Sequence, residues 1–96
     1  AYMLIVDSYD KGDFSDVETK VYAFSDSGSG QTYWLAKSFI VLGDSFAERG
    51  ELTQAKATFE SVRDGYTPSG ADDDVQDNVR VRLEKLEVMI SEKNNQ

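Results

Sequence analysis

Between Phe39 and Val62 the chain places Phe39, Leu42, Gly43, Phe46, Gly50, Ala55, Phe59 and Val62, a pattern that leaves few folds open. Phe39, Leu42 and Phe46 recur at helical spacing and share one face. Gly50 ends that helix, because glycine accepts the left-handed conformation in which helices terminate. Leu52, Ala55, Phe59 and Val62 start a second helical pattern at once, facing inward. Gly43 and Ala55 are small enough to let the two helices approach closely. The product is a helical hairpin with more apolar surface than two helices can cover between them, so further helices must pack on it.

The flanking sequence supplies them. Tyr2, Ile5, Val6 and Tyr9 mark a first helix that Gly12 terminates. Asp13 is a good N-cap for the next, and Asp16 lies in its first turn, where a carboxylate suits the helix dipole. Phe14, Val17, Val21 and Phe24 form the apolar stripe of that second helix. Ser25 to Gly30 reads as a flexible connection. A third helix is expected from near Gln31 to about Arg49. It carries Trp34, Leu35, Phe39, Ile40, Val41, Leu42 and Phe46 on more than one face and should be the most buried. A fourth spans roughly Leu52 to Arg63. An irregular piece with Pro68 and Gly70 follows, and Asp72, Asp73 and Asp74 open a fifth helix over 72–93. Its stripe is Val75, Val79, Leu83, Leu86 and Ile90, with Val81 and Val88 off it. No stretch reads as a strand, so the fold class is all-α with about five helices.

Composition removes several functions. The 96 residues suit one small domain or a piece of a larger one, and the immediate apolar start is read as a cut from a longer protein. There is no cysteine and no histidine, which removes disulfides, thiolate chemistry, the commonest general base and the usual transition-metal ligands. A net charge of −8 disfavours nucleic acid and anionic membrane surfaces as partners. No apolar run approaches the ~18 residues of a membrane span, so no membrane insertion is expected.

Internal repetition organises the rest. With Gly12 set on Gly50, Phe14 falls on Leu52, Val17 on Ala55, Val21 on Phe59, Phe24 on Val62 and Leu4 on Leu42, while Ser8 falls on Phe46. Phe39, Leu42, Gly43, Phe46, Gly50, Ala55, Phe59 and Val62 resemble a tetratricopeptide repeat, in which an aromatic, Leu-Gly, an aromatic, Gly, Ala and a further aromatic recur at these spacings. Pro68 lies near the family's closing proline. The offset exceeds the roughly 34 residues typical of such repeats, with the excess assigned to the Ser-Gly connection. The resemblance implies helical-hairpin repeats: a degenerate copy over 1–30, a better one over 31–67 and a C-terminal capping helix over 72–93.

That resemblance implies a scaffold for protein–protein interaction or assembly, without catalysis or cofactor, that takes a protein or peptide partner. The first helix of each hairpin would line a concave surface, showing Tyr2, Val6, Tyr9 and Asp10 from one copy. From the next it would show Lys37, Ile40, Asp44, Ala47 and Glu48. The Lys and Asn pattern that clamps a peptide's terminal carboxylate in some members is missing, which argues against a chaperone-tail receptor. General resemblance leans to a bacterial periplasm or cell envelope, and otherwise to the cytoplasm. Two rival readings stand beside it: homo-oligomerisation through the fifth helix, and a carboxylate-lined small-ligand or cation site.

The remaining constellations have plain explanations. Asp72, Asp73, Asp74 and Asp77 lack the alternating spacing and bidentate Glu of a calcium loop, and suit a helix start. Gly28, Ser29 and Gly30 follow no strand and match no phosphate-binding pattern. Ser25, Ser27 and Ser29 have no histidine to activate them. Tyr22, Phe24, Tyr33, Phe39, Phe46 and Phe59 are assigned mainly to the core. Tyr2, Tyr9 and Trp34 lie off the seam and are expected to be half exposed, where amphipathic rings favour interfaces.

Overall fold

Five helices make up the described chain: α1 Tyr2–Asp10, α2 Phe14–Asp26, α3 Thr32–Glu48, α4 Leu52–Gly65 and α5 Val75–Asn94. The structure is a computed structural model that describes residues 2–26, 32–68, 70 and 73–94, and no strand occurs among them. Of the connection expected from Ser25 to Gly30, Ser25 and Asp26 instead complete the last turn of α2, and the remainder, with the expected α3 start at Gln31 and the carboxylate of Asp72, lies outside the described residues.

The α1–α2 and α3–α4 turns share one geometry. Gly12 and Gly50 have φ of 76° and 77°. The Gly12 N–H donates to the Tyr9 carbonyl at 3.0 Å and the Asp13 N–H to that of Ser8 at 2.9 Å. The Gly50 N–H donates to Ala47 at 3.0 Å and the Glu51 N–H to Phe46 at 2.9 Å. In both turns the N–H groups of the glycine and of the residue after it satisfy carbonyls that the helix leaves free, with glycine in the left-handed position. Asp13 then caps α2, its Oδ1 accepting the Asp16 N–H at 3.2 Å.

α3 lies at the centre and touches each of the other four helices. α1, α3 and α5 stand in one row. α2 packs on α1 and α3, and α4 on α3 and α5, with no contact between α2 and α4 among the described residues. One continuous core results, in which Val17, Leu42, Ala55, Phe59 and Val79 are almost wholly buried. A Cβ built on Gly43 would sit 2.4 Å from Phe59 Cε1, so the ring packs directly on the α3 backbone. Arg49 lies over the Phe46 ring at 4.9 Å and faces Glu18 and Glu51 at 3.6 and 3.7 Å, tying α2 to the α3–α4 turn.

α5 buries Val75, Val79, Leu83 and Leu86, while Ile90 is only half-buried. Its beginning differs from expectation. Asp73 and Asp74 precede the helix, which starts at Val75. Asp73 Oδ1 accepts the Val75 N–H at 2.9 Å, and its other oxygen accepts the Tyr66 hydroxyl. The Gln76 amide donates to the carbonyls of Arg63 and Tyr66 at 3.1 and 2.9 Å, closing the end of α4. These carboxylates cap and clasp rather than form the first helical turn.

One core assignment needs correction. Tyr22 is exposed rather than core, because it falls on the outer side of α2 with Thr19 and Ala23. Leu4 is 59% exposed where its counterpart Leu42 is 1%. α3 touches all four other helices, whereas among the described residues α1 has only α2 and α3 as neighbours.

Candidate partner-binding face

The row of α1, α3 and α5 brings together most of the residues expected on an open surface. Tyr2, Val6, Tyr9 and Asp10 recur along one side of α1 at helical spacing. Lys37, Asp44, Ala47 and Glu48 do the same on α3, where Lys37, Asp44 and Ala47 are half-buried and Glu48 is exposed. Ile40 does not belong with them. It is 5% exposed and part of the core, because α3 is flanked by α1 and α5 and its middle turn is covered from both sides.

α5 contributes residues that sequence patterns did not mark. Arg82 Nε donates to Asp44 Oδ1 at 2.8 Å and Nη2 to Oδ2 at 3.1 Å, a two-pronged pair. Its Nη1 donates to the carbonyl of Asn78 at 3.2 Å, which fixes the guanidinium plane. Nearer the α3 N-terminus, Lys37 Nζ donates to Asp74 Oδ2 and the Tyr33 hydroxyl to Asp74 Oδ1, each at 3.0 Å. Both contacts join elements about 40 positions apart, beyond the reach of single-helix periodicity.

Aromatic rings occupy the same end. The Tyr2 and Trp34 centroids are 5.3 Å apart, Tyr33 meets Trp34 edge-on at 5.1 Å, and Lys37 Nζ lies 5.7 Å from the Tyr33 ring centre. Trp34 is 46% exposed and Tyr2 and Tyr9 are half-buried, as expected for rings off the seam.

The electrostatics follow from these partners. Burial pushes the Tyr9 phenol above its ordinary value, and the carboxylates of Asp44 and Glu48 add to the rise, while Arg82 opposes it. The hydrogen bond that Lys37 donates holds Asp74 below the usual carboxylate range, reinforced by that of Tyr33. Burial alone would lower Lys37, but the hydrogen bond and charge of Asp74 outweigh it and raise the ammonium. Tyr33 is raised because its proton is held by Asp74.

Two further features bear on chemistry. Ser8 Oγ donates to Asp16 Oδ2 at 2.6 Å and accepts from Lys20 Nζ at 2.8 Å, a serine–lysine contact that sequence reading missed. Ser8 is 3% exposed, while the Lys20 and Asp16 side chains, 2.7 Å apart, are 36% and 38% exposed, so the trio ties a buried hydroxyl to a part-exposed ion pair. An apolar cleft of about 230 Å³ between α3 and α4 is lined by Leu35, Phe39, Val62 and Tyr66, with no carboxylate or amine among the described residues of its wall. No group of acidic residues with metal-holding geometry occurs among the described residues, and no helix there is long and apolar enough to cross a membrane. No family model, curated protein or solved structure matches the chain.

Proposed function

We propose that this chain is a protein-interaction module of tetratricopeptide-like hairpins that receives a partner segment on the face shared by α1, α3 and α5, with no catalysis of its own. The observation that carries the reading is the repetition of one turn. Gly12 and Gly50 end their helices with the same left-handed conformation and the same pair of hydrogen bonds. The helices that lead into these turns, α1 and α3, stand side by side with α5 beyond them. Stacked hairpins give a continuous surface of this kind, and a terminal helix with one apolar side serves as its cap. Tyr2, Tyr9, Trp34 and Arg82 on the face are residue types enriched at protein interfaces. The exposed Val81, Val88 and Met89 on α5 favour homo-oligomerisation as the second reading.

Short peptides selected from a random display library against the whole chain test the assignment. Selected peptides should lose binding when Tyr9→Ala and Trp34→Ala are combined, and keep it when Val81→Ala and Val88→Ala are combined. The reverse pattern would move the binding surface to the outer side of α5. A concentration-dependent dimer in light scattering that the two valine changes abolish would establish the second reading.

A further inference from the structure

The binding face carries an unbalanced charge. Its two cations are engaged within the chain, Arg82 by Asp44 and Lys37 by Asp74. Asp10 and Glu48 are exposed, and neither has a cation within ion-pair distance among the described residues. Both belong to the charge surrounding the Tyr9 phenol, together with Asp44. At the other end, the Tyr2 and Trp34 rings stand partly open, and beside them Lys37 already lies over the Tyr33 ring.

We infer that the partner is a basic protein segment, with one lysine or arginine over the Trp34 and Tyr2 rings and another between Asp10 and Glu48. The inference rests on the reading of the α1–α3–α5 row as the binding face. Chemistry at both ends agrees on the sign. Aromatic faces attract cations, and exposed carboxylates without partners do the same. Spacing limits the segment further. Between the two cation positions the chain advances from Tyr2 to Asp10 on α1 and from Trp34 to Glu48 on α3, roughly 12 and 21 Å along the helix axes. An extended segment covers that range in about four to six residues. An acidic segment or a nucleic acid would meet Asp10, Glu48 and a molecule of net charge −8.

The test uses three synthetic peptides with a Lys-Ser-Ser, Gln-Ser-Ser or Glu-Ser-Ser repeat, titrated into the whole chain. Calorimetry gives the affinity, and the emission of Trp34, the sole tryptophan, reports the site. The lysine peptide should bind about tenfold more tightly than the glutamine one, and weaken with added salt. Asp10→Asn with Glu48→Gln should reduce its binding about tenfold, the loss of two exposed charge contacts. Asp77→Asn with Glu84→Gln changes net charge equally, away from the face, and should leave it unchanged. Equal binding of all three peptides with a Trp34 response would overturn the basic-segment inference while leaving the face assignment intact. Binding of the lysine peptide that survives loss of Asp10 and Glu48 but falls with Asp77 and Glu84 would overturn the face assignment itself. Failure of the lysine peptide to bind would end the basic-segment inference, with the library selection still deciding the face.

Discussion

Replacing Gly43 with alanine adds one methyl group where α3 meets the ring of Phe59. The new Cβ would lie 2.4, 2.6 and 2.9 Å from the ring's Cε1, Cζ and Cδ1. Carbon atoms in favourable contact stand about 3.5–4.0 Å apart, so the ring must retreat by roughly 1 Å. Phe59 is 1% exposed and enclosed by the core, which leaves no open space for that retreat. Overpacking of this kind costs about 1–3 kcal/mol. Against it stands the helix propensity of alanine, better than that of glycine by about 1 kcal/mol in a helix interior. A retreat of this size with no free space puts the clash at the upper end of that range, about 2–3 kcal/mol, so the clash wins and Gly43→Ala should destabilise the chain by about 1–2 kcal/mol.

The same reasoning predicts a change of sign. In a Phe59→Ala background, itself about 3–5 kcal/mol less stable, all three clashing atoms are gone. Gly43→Ala should then stabilise by up to about 1 kcal/mol, since only the propensity term remains. Urea denaturation followed by circular dichroism at both backgrounds gives the four midpoints, and the coupling should reach about 2–3 kcal/mol. A raised midpoint for Gly43→Ala in the natural chain would refute the close approach of α3 and α4.

Two predictions concern α5 and acid. Leu83 is buried at the middle of the α5 stripe, so Leu83→Ala should cost about 2–4 kcal/mol in the same denaturation assay, whereas Val88→Ala on the exposed side should cost little. Asp74 and Asp16 both have carboxyls held low by a lysine, Lys37 and Lys20 respectively, so their contribution is present above the ordinary aspartate range and is lost as pH falls through the lowered values. Thermal midpoints should therefore drop below about pH 4, and Lys37→Met with Lys20→Met should flatten that drop; an unchanged acid limb would contradict the assignment.

Helix existence was legible because glycine, aspartate and apolar spacing act within a few residues. Gly12 and Gly50 mark turns, Asp13 marks a cap, and Val75, Val79, Leu83 and Leu86 mark a buried stripe. What escaped sequence reading depends on neighbours. Ile40 lies at a position assigned to the open surface, yet flanking by α1 and α5 buries it. Arg82 looks like one of several surface charges until α5 is laid beside α3 and Asp44 comes within 2.8 Å. The separation of these two residues equals the offset between the hairpins, but Glu18 and Lys56, and Arg49 and Glu87, stand at the same offset, so charge pairing at that spacing does not single them out.

The unequal visibility of the two copies has the same physical root. A helix that ends in a left-handed residue needs glycine there and otherwise uses only backbone groups, so the turn survives large changes nearby. The residue one turn earlier has no such constraint. Phe46 fills it in α3, and Ser8 in α1, both almost wholly buried. A buried hydroxyl must be hydrogen-bonded, and Asp16 and Lys20 on α2 satisfy it from 2.6 and 2.8 Å. The first hairpin thus replaces an aromatic packing contact with a charge-assisted one that fixes α1 against α2. The aromatic signature disappears from the sequence, while the course of the backbone, and with it the row that presents Tyr9 and Asp44 together, is kept.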